Sequence, residues 1–471
     1  MDWTVADIVA ATDGRLLYGA AESRVERIGI DSRTVSSDAL FVPIRGDRYD
    51  AHDFLPEVID KGVRAVVVAA DTDVALPHDN WKLKGISCVV VDDTTRALGA
   101  LARFRRRQMK IPVVAITGSN GKTTTRQMTA SVLAIRFKTL ATEGNLNNEI
   151  GLPLTLLGLE RSHQAAVVEL GINHFGEMDR LGAICEPTIG MITNVGPAHL
   201  EFLGDLEGVR RAKGELLAHI GPQGTLILNK DDAHVAALAA ESRCPVLFFG
   251  TAPQAEVRAE SIDESQSGVR FDLVLPDQRV KVELKTPGRF MVFNALAAAA
   301  AGHLAGLGAE GIVQGLASFQ PSAGRLHVVE TKNGVNIIDD TYNANPQSMM
   351  AAIQTFTGLW KSGNGFIVLG DMLELGDQAE ALHRQIGSTA AETGADRVYA
   401  YGDFSGYLIA GAKKAGMIEE NLMAGTKEEI AADLVQRLQP GDWILVKGSR
   451  GMTMETVVRA ILQWASSSAK G

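Results

Sequence analysis

Residues 113–125 read VVAITGSNGKTTT. Val113–Thr117 has the apolar, β-branched character of a buried strand, and the threonines after Lys122 open a helix around a glycine-bearing turn. Gly118 and Gly121 carry no Cβ, so the backbone from Gly118 through Ser119 and Asn120 to Gly121 can aim its N–H groups at a phosphate. The helix N-terminus, at Thr123 and Thr124, adds a favourable dipole. Lys122 is spaced to reach the β- and γ-phosphates, and the Thr123 hydroxyl is a Mg²⁺ ligand of the expected type. The longer phosphate-loop pattern has a glycine five residues before Gly121. Ile116 stands there instead, so this is the shorter TGxxGKT form. A strand before the loop and a helix after it predict a nucleoside triphosphate site in an α/β domain.

The same alternation extends in both directions. Strand-like runs occur at Ala65–Val68, Cys88–Val91, Ala166–Glu169, Ile189–Thr193, Thr225–Leu228, Val335–Ile338, Phe366–Leu369 and Trp443–Val446, with helical patterns between them. That spacing predicts parallel sheets with crossover helices. From Ala255 to Thr286 the pattern changes to paired strands, VRFDLVL and VKVEL, which predicts an antiparallel appendage. Breaks at Ile111-Pro112 and in FQPSAGR (Phe319–Arg325) divide the chain into residues 1–110, 111–318 and 319–471. Three domains also suit 471 residues at about 150 per domain.

Composition narrows the function. With 46 Lys+Arg against 56 Asp+Glu the net charge is −10, which argues against nucleic acid as the main partner. The one basic run, Arg103, Arg105, Arg106 and Arg107, reads as a solvated helix face. Cys88, Cys185 and Cys244 are the only cysteines, too few and too scattered for a disulfide framework or metal spacing, so a reducing cytoplasm is expected. No apolar run reaches the roughly 18 residues that span a bilayer. The Ala-rich stretch Asn294–Ala305 is expected to be interrupted by Gly302 and His303. A soluble, cytoplasmic chain with no membrane insertion is therefore the expectation, and a monomer is expected.

Several further segments lie in order along the chain. They are DSRTVSSDALFVPIRG (Asp31–Gly46), EGNLNNEIGLPLTLL (Glu143–Leu157), VELG (Val168–Gly171), TNVGPAHLEFLG (Thr193–Gly204) and RRAKGELL (Arg210–Leu217). GRL (Gly324–Leu326), DDTYNANPQSM (Asp339–Met349), LGDMLELG (Leu369–Gly376) and LVKGSRGMTME (Leu445–Glu455) complete the set. Together with TGSNGKTTT they resemble the Mur ligases, ATP-dependent enzymes that form amide bonds in peptidoglycan precursors. The resemblance implies a central P-loop ATPase domain, an N-terminal UDP-binding α/β domain and a C-terminal Rossmann-like α/β domain. NLNNEIG with DMLELG resembles the branch that joins D-alanyl-D-alanine to UDP-N-acetylmuramoyl-tripeptide. The Asp-Asn-Pro-Arg signature of the sister branch, which adds a diamino acid, does not occur. One departure is visible: Phe290-Met291 stands where the family usually has His-Asn, which leaves Asn294 as the polar group expected near adenine.

A carboxylate becomes an electrophile for an amine once ATP converts it to an acyl phosphate, so the site must hold many anionic oxygens together. By resemblance, Glu169 and His199 ligate two Mg²⁺ ions with Thr123, and Lys213 carries a carbamate that helps hold the second. Read alone, Glu169 is also compatible with a solvated strand-end acid, His199 with a structural histidine, and Lys213 with a surface-helix lysine. A carbamate requires a neutral, partly desolvated amine. The resemblance further implies that Arg325, Asp340 and Asn343 close over ATP from the third domain. The pair Asp339 and Asp340 also suits a metal. Lys447 and Arg450 suit an anionic substrate, with a solvated loop as the alternative. Ser32, Arg33 and Gly46 resemble the UDP-binding segment, and Asn147 and Asn148 are expected to offer amides to the sugar-peptide. Because these groups lie on different domains, they meet one nucleotide only if the domains approach about a hinge at FQPSAGR. A nucleotide switch without ligase activity is the competing class, and Asn229-Lys230-Asp231-Asp232 supplies the bare NKxD spelling of a guanine-reading motif.

Overall fold

Strands that are apolar throughout must be covered on both faces, and helical crossovers do this. The computed structural model describes residues 3–46, 48–74, 76–265 and 267–468, and it contains three such sheets in sequence. The first has five strands in the spatial order Arg15–Tyr18, Ser87–Val91, Ala65–Ala69, Ala39–Phe41, Arg27–Gly29. All its neighbours are parallel except the pairing of Arg15–Tyr18 with Ser87–Val91.

The central sheet has nine strands. From one edge the order is Thr139–Ala141, Ala165–Glu169, Val113–Thr117, Ile189–Ile192, Thr225–Asn229, Val246–Gly250 and Val257–Ser265, all parallel. Gly268–Val274 and Arg279–Leu284 then continue it antiparallel, so the expected appendage is an extension of this sheet. Val113–Thr117 is fully buried, with apolar layers on both faces. Helix Phe290–Leu304 lies in one of these layers and packs on helix Lys122–Ala134. It runs through Gly302 and His303, contrary to the expected interruption. A Cβ on Gly302 would stand 2.6 Å from Val132 Cγ1, so the glycine serves close helix packing. Among the described residues no helix is long and apolar enough to cross a membrane.

The third sheet has six strands, ordered His327–Glu330, Asn336–Asp340, Trp443–Lys447, Gly365–Gly370, Arg397–Tyr401, Leu422–Ala424, with only the first pair antiparallel.

The arginine run corrects a sequence expectation. Arg105 and Arg106 are buried, not solvated. Arg105 donates to the carbonyl of Leu159, and Arg106 to those of Cys185 and Met109. Arg103 and Arg107 both reach the Glu186 carboxylate, at 2.8 and 2.7 Å. Helix Thr94–Arg107 thereby fastens the first domain to the central one. Free carbonyls at the ends of neighbouring elements attract guanidinium donors, a pairing that composition does not reveal.

Candidate active site

Parallel strands deliver their C-terminal ends, and the loops after them, to one edge of a sheet. In the central sheet Glu169 pairs in register with Ile116, and Ile192 with Thr117, so the phosphate loop, Glu169 and the loop carrying His199 leave that edge together. They line a cavity of about 1240 Å³, whose opposite wall comes from the third domain.

The phosphate loop is tightly built. Gly118 has φ +152°, and a Cβ there would lie 1.9 Å from Thr193 Oγ1; Gly121 has φ +77°, and its Cβ would meet Asn294 Oδ1 at 2.4 Å. Both positions require glycine. Ser119 Oγ exchanges hydrogen bonds with the backbone of Gly196, and the Asn120 N–H donates to Asn194 Oδ1 at 2.8 Å. Lys122 Nζ donates to the carbonyl of Gly118 at 2.8 Å. Burial lowers its pKa, Glu169 opposes this, and Arg325 adds to it. Ser119, Asn120, Gly121, Lys122, Thr123 and Thr124 all line the cavity.

Glu169 is 3% exposed. One carboxylate oxygen accepts from the Thr123 hydroxyl and the other from Asn147 Nδ2, both at 2.9 Å. Thus Asn147, expected at the sugar-peptide, holds Glu169. Asn148 Oδ1 accepts from the N–H groups of Ile150 and Gly151 at the start of a helix, although both asparagines line the cavity. Arg126, one helical turn beyond Lys122, is buried with Nε 3.4 Å from the Glu169 carboxylate. Its i, i+4 spacing from Lys122 is the signal that could have singled it out. Hard oxygens of Thr123 and Glu169 beside a phosphate loop fit Mg²⁺. Among the described residues no three His, Cys, Asp or Glu side chains converge as a metal site.

His199 (φ +56°) directs Nδ1 to Glu374 of the third domain at 2.6 Å, and this partner holds the Glu374 carboxyl below its ordinary value despite some burial. Asn120 reaches the same domain: its Nδ2 donates to Gln347 and its Oδ1 accepts from Asn345, both at 2.8 Å. Neither Glu374, Asn345 nor Gln347 was assigned a role from sequence, though all three sit inside quoted segments.

Lys213 is buried, not on a helix surface, and is absent from the cavity wall. Burial, reinforced by Lys122, lowers its pKa well below the ordinary lysine value. Asp340 and Lys447 form an ion pair of 2.6 Å, and Lys447 also donates to the Asn343 carbonyl at 2.9 Å. Lys447 is therefore not in a solvated loop. Arg325 stacks on Tyr342 at 3.9 Å, with Arg450 at 5.7 Å from the same ring. All five line the cavity with Asn343. Asp339 does not: its oxygens accept from Gly324 and Thr341, which leaves no paired-acid metal site.

Phe290, Met291 and Asn294 share the cavity wall, and Asn294 accepts from the Thr125 hydroxyl at 3.1 Å. The structure does not bring Ser32, Arg33 or Gly46 to this cavity. Arg33 pairs with Asp31, and Arg45, not singled out from sequence, is the residue of that segment on the wall. In the NKxD spelling Asp231 accepts from Thr251 and Ala252, and Asp232 caps a helix and accepts from Val195, while Asn229, Asp231 and Asp232 also line the cavity.

Family models match in the same order as the sheets: Mur ligase family, catalytic domain, over residues 24–106; Mur ligase middle domain over 116–302; and Mur ligase, glutamate ligase domain, over 324–450. The chain belongs to the Mur ligase family. It is an ATP-dependent, amide-forming ligase. It is 36% identical over 460 residues to the Escherichia coli UDP-N-acetylmuramoyl-tripeptide–D-alanyl-D-alanine ligase, covering 97% of this chain and 98% of that one. A crystal structure of MurF from Acinetobacter baumannii superposes with a TM-score of 0.89 at 36% identity, covering 98% and 99% of the two chains. The Thermotoga maritima MurF ligase in complex with ADP gives 0.83 at 26% identity over 94% and 98%.

Proposed function

We propose that this Mur ligase joins D-alanyl-D-alanine to UDP-N-acetylmuramoyl-tripeptide, converting ATP to ADP and phosphate and yielding the UDP-muramoyl pentapeptide. The observation that carries this reading is likeness along the whole chain to ligases of that name, rather than to one domain of them. The tripeptide carboxylate attacks the γ-phosphorus and ADP leaves. The dipeptide amine then attacks the acyl carbon, and the tetrahedral intermediate collapses with loss of phosphate.

In this reading Gly118 to Thr124 cradle the phosphates, Lys122 offsets the charge on the β- and γ-oxygens, and Arg325 approaches them from the third domain. Asn294, Asp340 and Asn343 complete the nucleotide site. Thr123, Glu169 and His199 are the side chains that would hold two Mg²⁺ ions, whose charge, when bound, offsets that of the phosphate oxygens. Lys213 takes up CO₂ as a carbamate, releasing a proton. Its burial and lowered pKa support this, because the neutral amine is the form that reacts. Lys447 and Arg450 face the anionic carboxylate, while the uridine diphosphate end lies toward the first domain by Ser32, Arg33 and Gly46. Hinging at FQPSAGR brings the walls together. A reducing, cytoplasmic setting suits the three free cysteines.

Phosphate release with ATP, Mg²⁺, UDP-muramoyl tripeptide and D-alanyl-D-alanine tests the reading. Release is expected only when all are present. Release with UDP-muramoyl dipeptide and a diamino acid instead would assign the sister activity, and stimulated GTP hydrolysis without either substrate would assign a switch.

A further inference from the structure

Two non-glycine residues in the left-handed backbone region meet across the boundary between the central and third domains, His199 at φ +56° and Glu374 at φ +62°. Residues with a Cβ are held in this region only where their surroundings over-determine it. Both line the cavity, their side chains meet at 2.6 Å, and the Glu201 N–H donates to the Glu374 carbonyl at 3.2 Å. Glu374 is delivered by a pinned loop. The Met372 N–H donates to Nε2 of the buried His383 at 2.9 Å, and the Leu373 N–H donates to Ser449 Oγ at 2.9 Å. His383 is itself fixed, since its Nδ1 donates to the Ala379 carbonyl.

An ionised carboxylate only accepts, so its partner nitrogen must carry the proton. We infer that Glu374 is a positioning residue for His199: its carboxylate holds the imidazole in the Nδ1–H form, leaving the Nε2 lone pair for a ligand, and it does so only while the third domain is docked. The group that orients the histidine and the histidine itself belong to different domains. Domain approach and ring orientation are therefore one event. A carboxylate on the far nitrogen of a metal-binding histidine commonly sets both tautomer and affinity. The consequence for metal rests on the proposed role of His199; the tautomer does not.

The test uses the full chain labelled with ¹⁵N-histidine, with the His199 ring signals identified by their loss in His199→Asn. Without nucleotide, the parent is expected to show Nδ1–H and an unprotonated Nε2. Glu374→Ala shifts the ring toward the Nε2–H form that free imidazole prefers, while Glu374→Gln, which keeps an acceptor oxygen at the same reach, retains the parental signals. In phosphate release, the Mg²⁺ concentration for half-activity is expected to rise about tenfold in Glu374→Ala, and by much less in Glu374→Gln. Identical His199 ring signals in the parent and Glu374→Ala overturn the proposal. Altered ring signals with unchanged Mg²⁺ dependence support the positioning role and overturn the assignment of His199 as a metal ligand.

Discussion

Lys447 and Lys213 are each 2% exposed, and their surroundings differ in one respect. At the end of strand Trp443–Lys447, Nζ of Lys447 meets Asp340 at 2.6 Å and the Asn343 carbonyl at 2.9 Å. In helix Leu206–Gly214, Lys213 has no hydrogen-bond or ion-pair partner among the described residues, and the charged group that acts on it is another cation, Lys122. A buried ammonium is tolerable when an acid offsets its lost hydration; without one the neutral amine is favoured. The first lysine is therefore suited to holding a wall of the cavity, and the second is held toward the neutral amine, the form that the proposed carbamate requires.

Lys122 lies between these cases, half-buried with two backbone carbonyls as partners and Glu169 within electrostatic reach. Lys122→Ala is expected to lower turnover by about a thousandfold while the protein stays folded. Phosphate release within tenfold of the parent would remove the loop from the chemistry. Lys213→Arg keeps the charge but can neither lose its proton nor take up CO₂, and a loss of about a hundredfold is expected. Parental turnover in CO₂-depleted buffer would erase the contrast between the two lysines. Lys213→Met strands no acid and is expected to match or exceed the parent in stability to urea.

Lys447→Met, by contrast, strands Asp340 and is expected to cost about 2–3 kcal/mol in urea denaturation; an unmoved midpoint would show that Asp340 finds another donor. The smallest effect belongs to the exposed version of such a pair. Burial raises the Glu186 carboxyl, but hydrogen bonds from Arg107 and Arg103 hold it below its ordinary value overall. That stability is present above the unfolded pKa, ~4.3, and is lost as pH falls through the folded one. Glu186→Gln is expected to cost under about 1 kcal/mol at pH 7, a difference that vanishes in acid. A cost that persists below the folded pKa would make the contact one of shape rather than charge.

Features that are local are legible in the residues themselves. Gly118 and Gly121 announce a backbone requirement, and each indeed faces a side chain within 2.4 Å of where a Cβ would stand. Features whose partners come from afar are not. Arg105 and Arg106 read as solvated because their partners, the carbonyls of Leu159 and Cys185, lie 54 and 79 residues away. Asn147 reads as a free amide until the fold sets Glu169 beside it.

The sequence by itself determined the three α/β sheets, the phosphate loop and the order of the family's segments, because strand and helix periodicity and glycine's conformational range are properties of short stretches. Only the tertiary structure decided which of two equally buried lysines has an acid, that His199 is held by Glu374, and that Asn120 meets Asn345 and Gln347. These depend on which groups share one low-dielectric space, and burial and pairing at a distance are settled by packing rather than by neighbours along the chain.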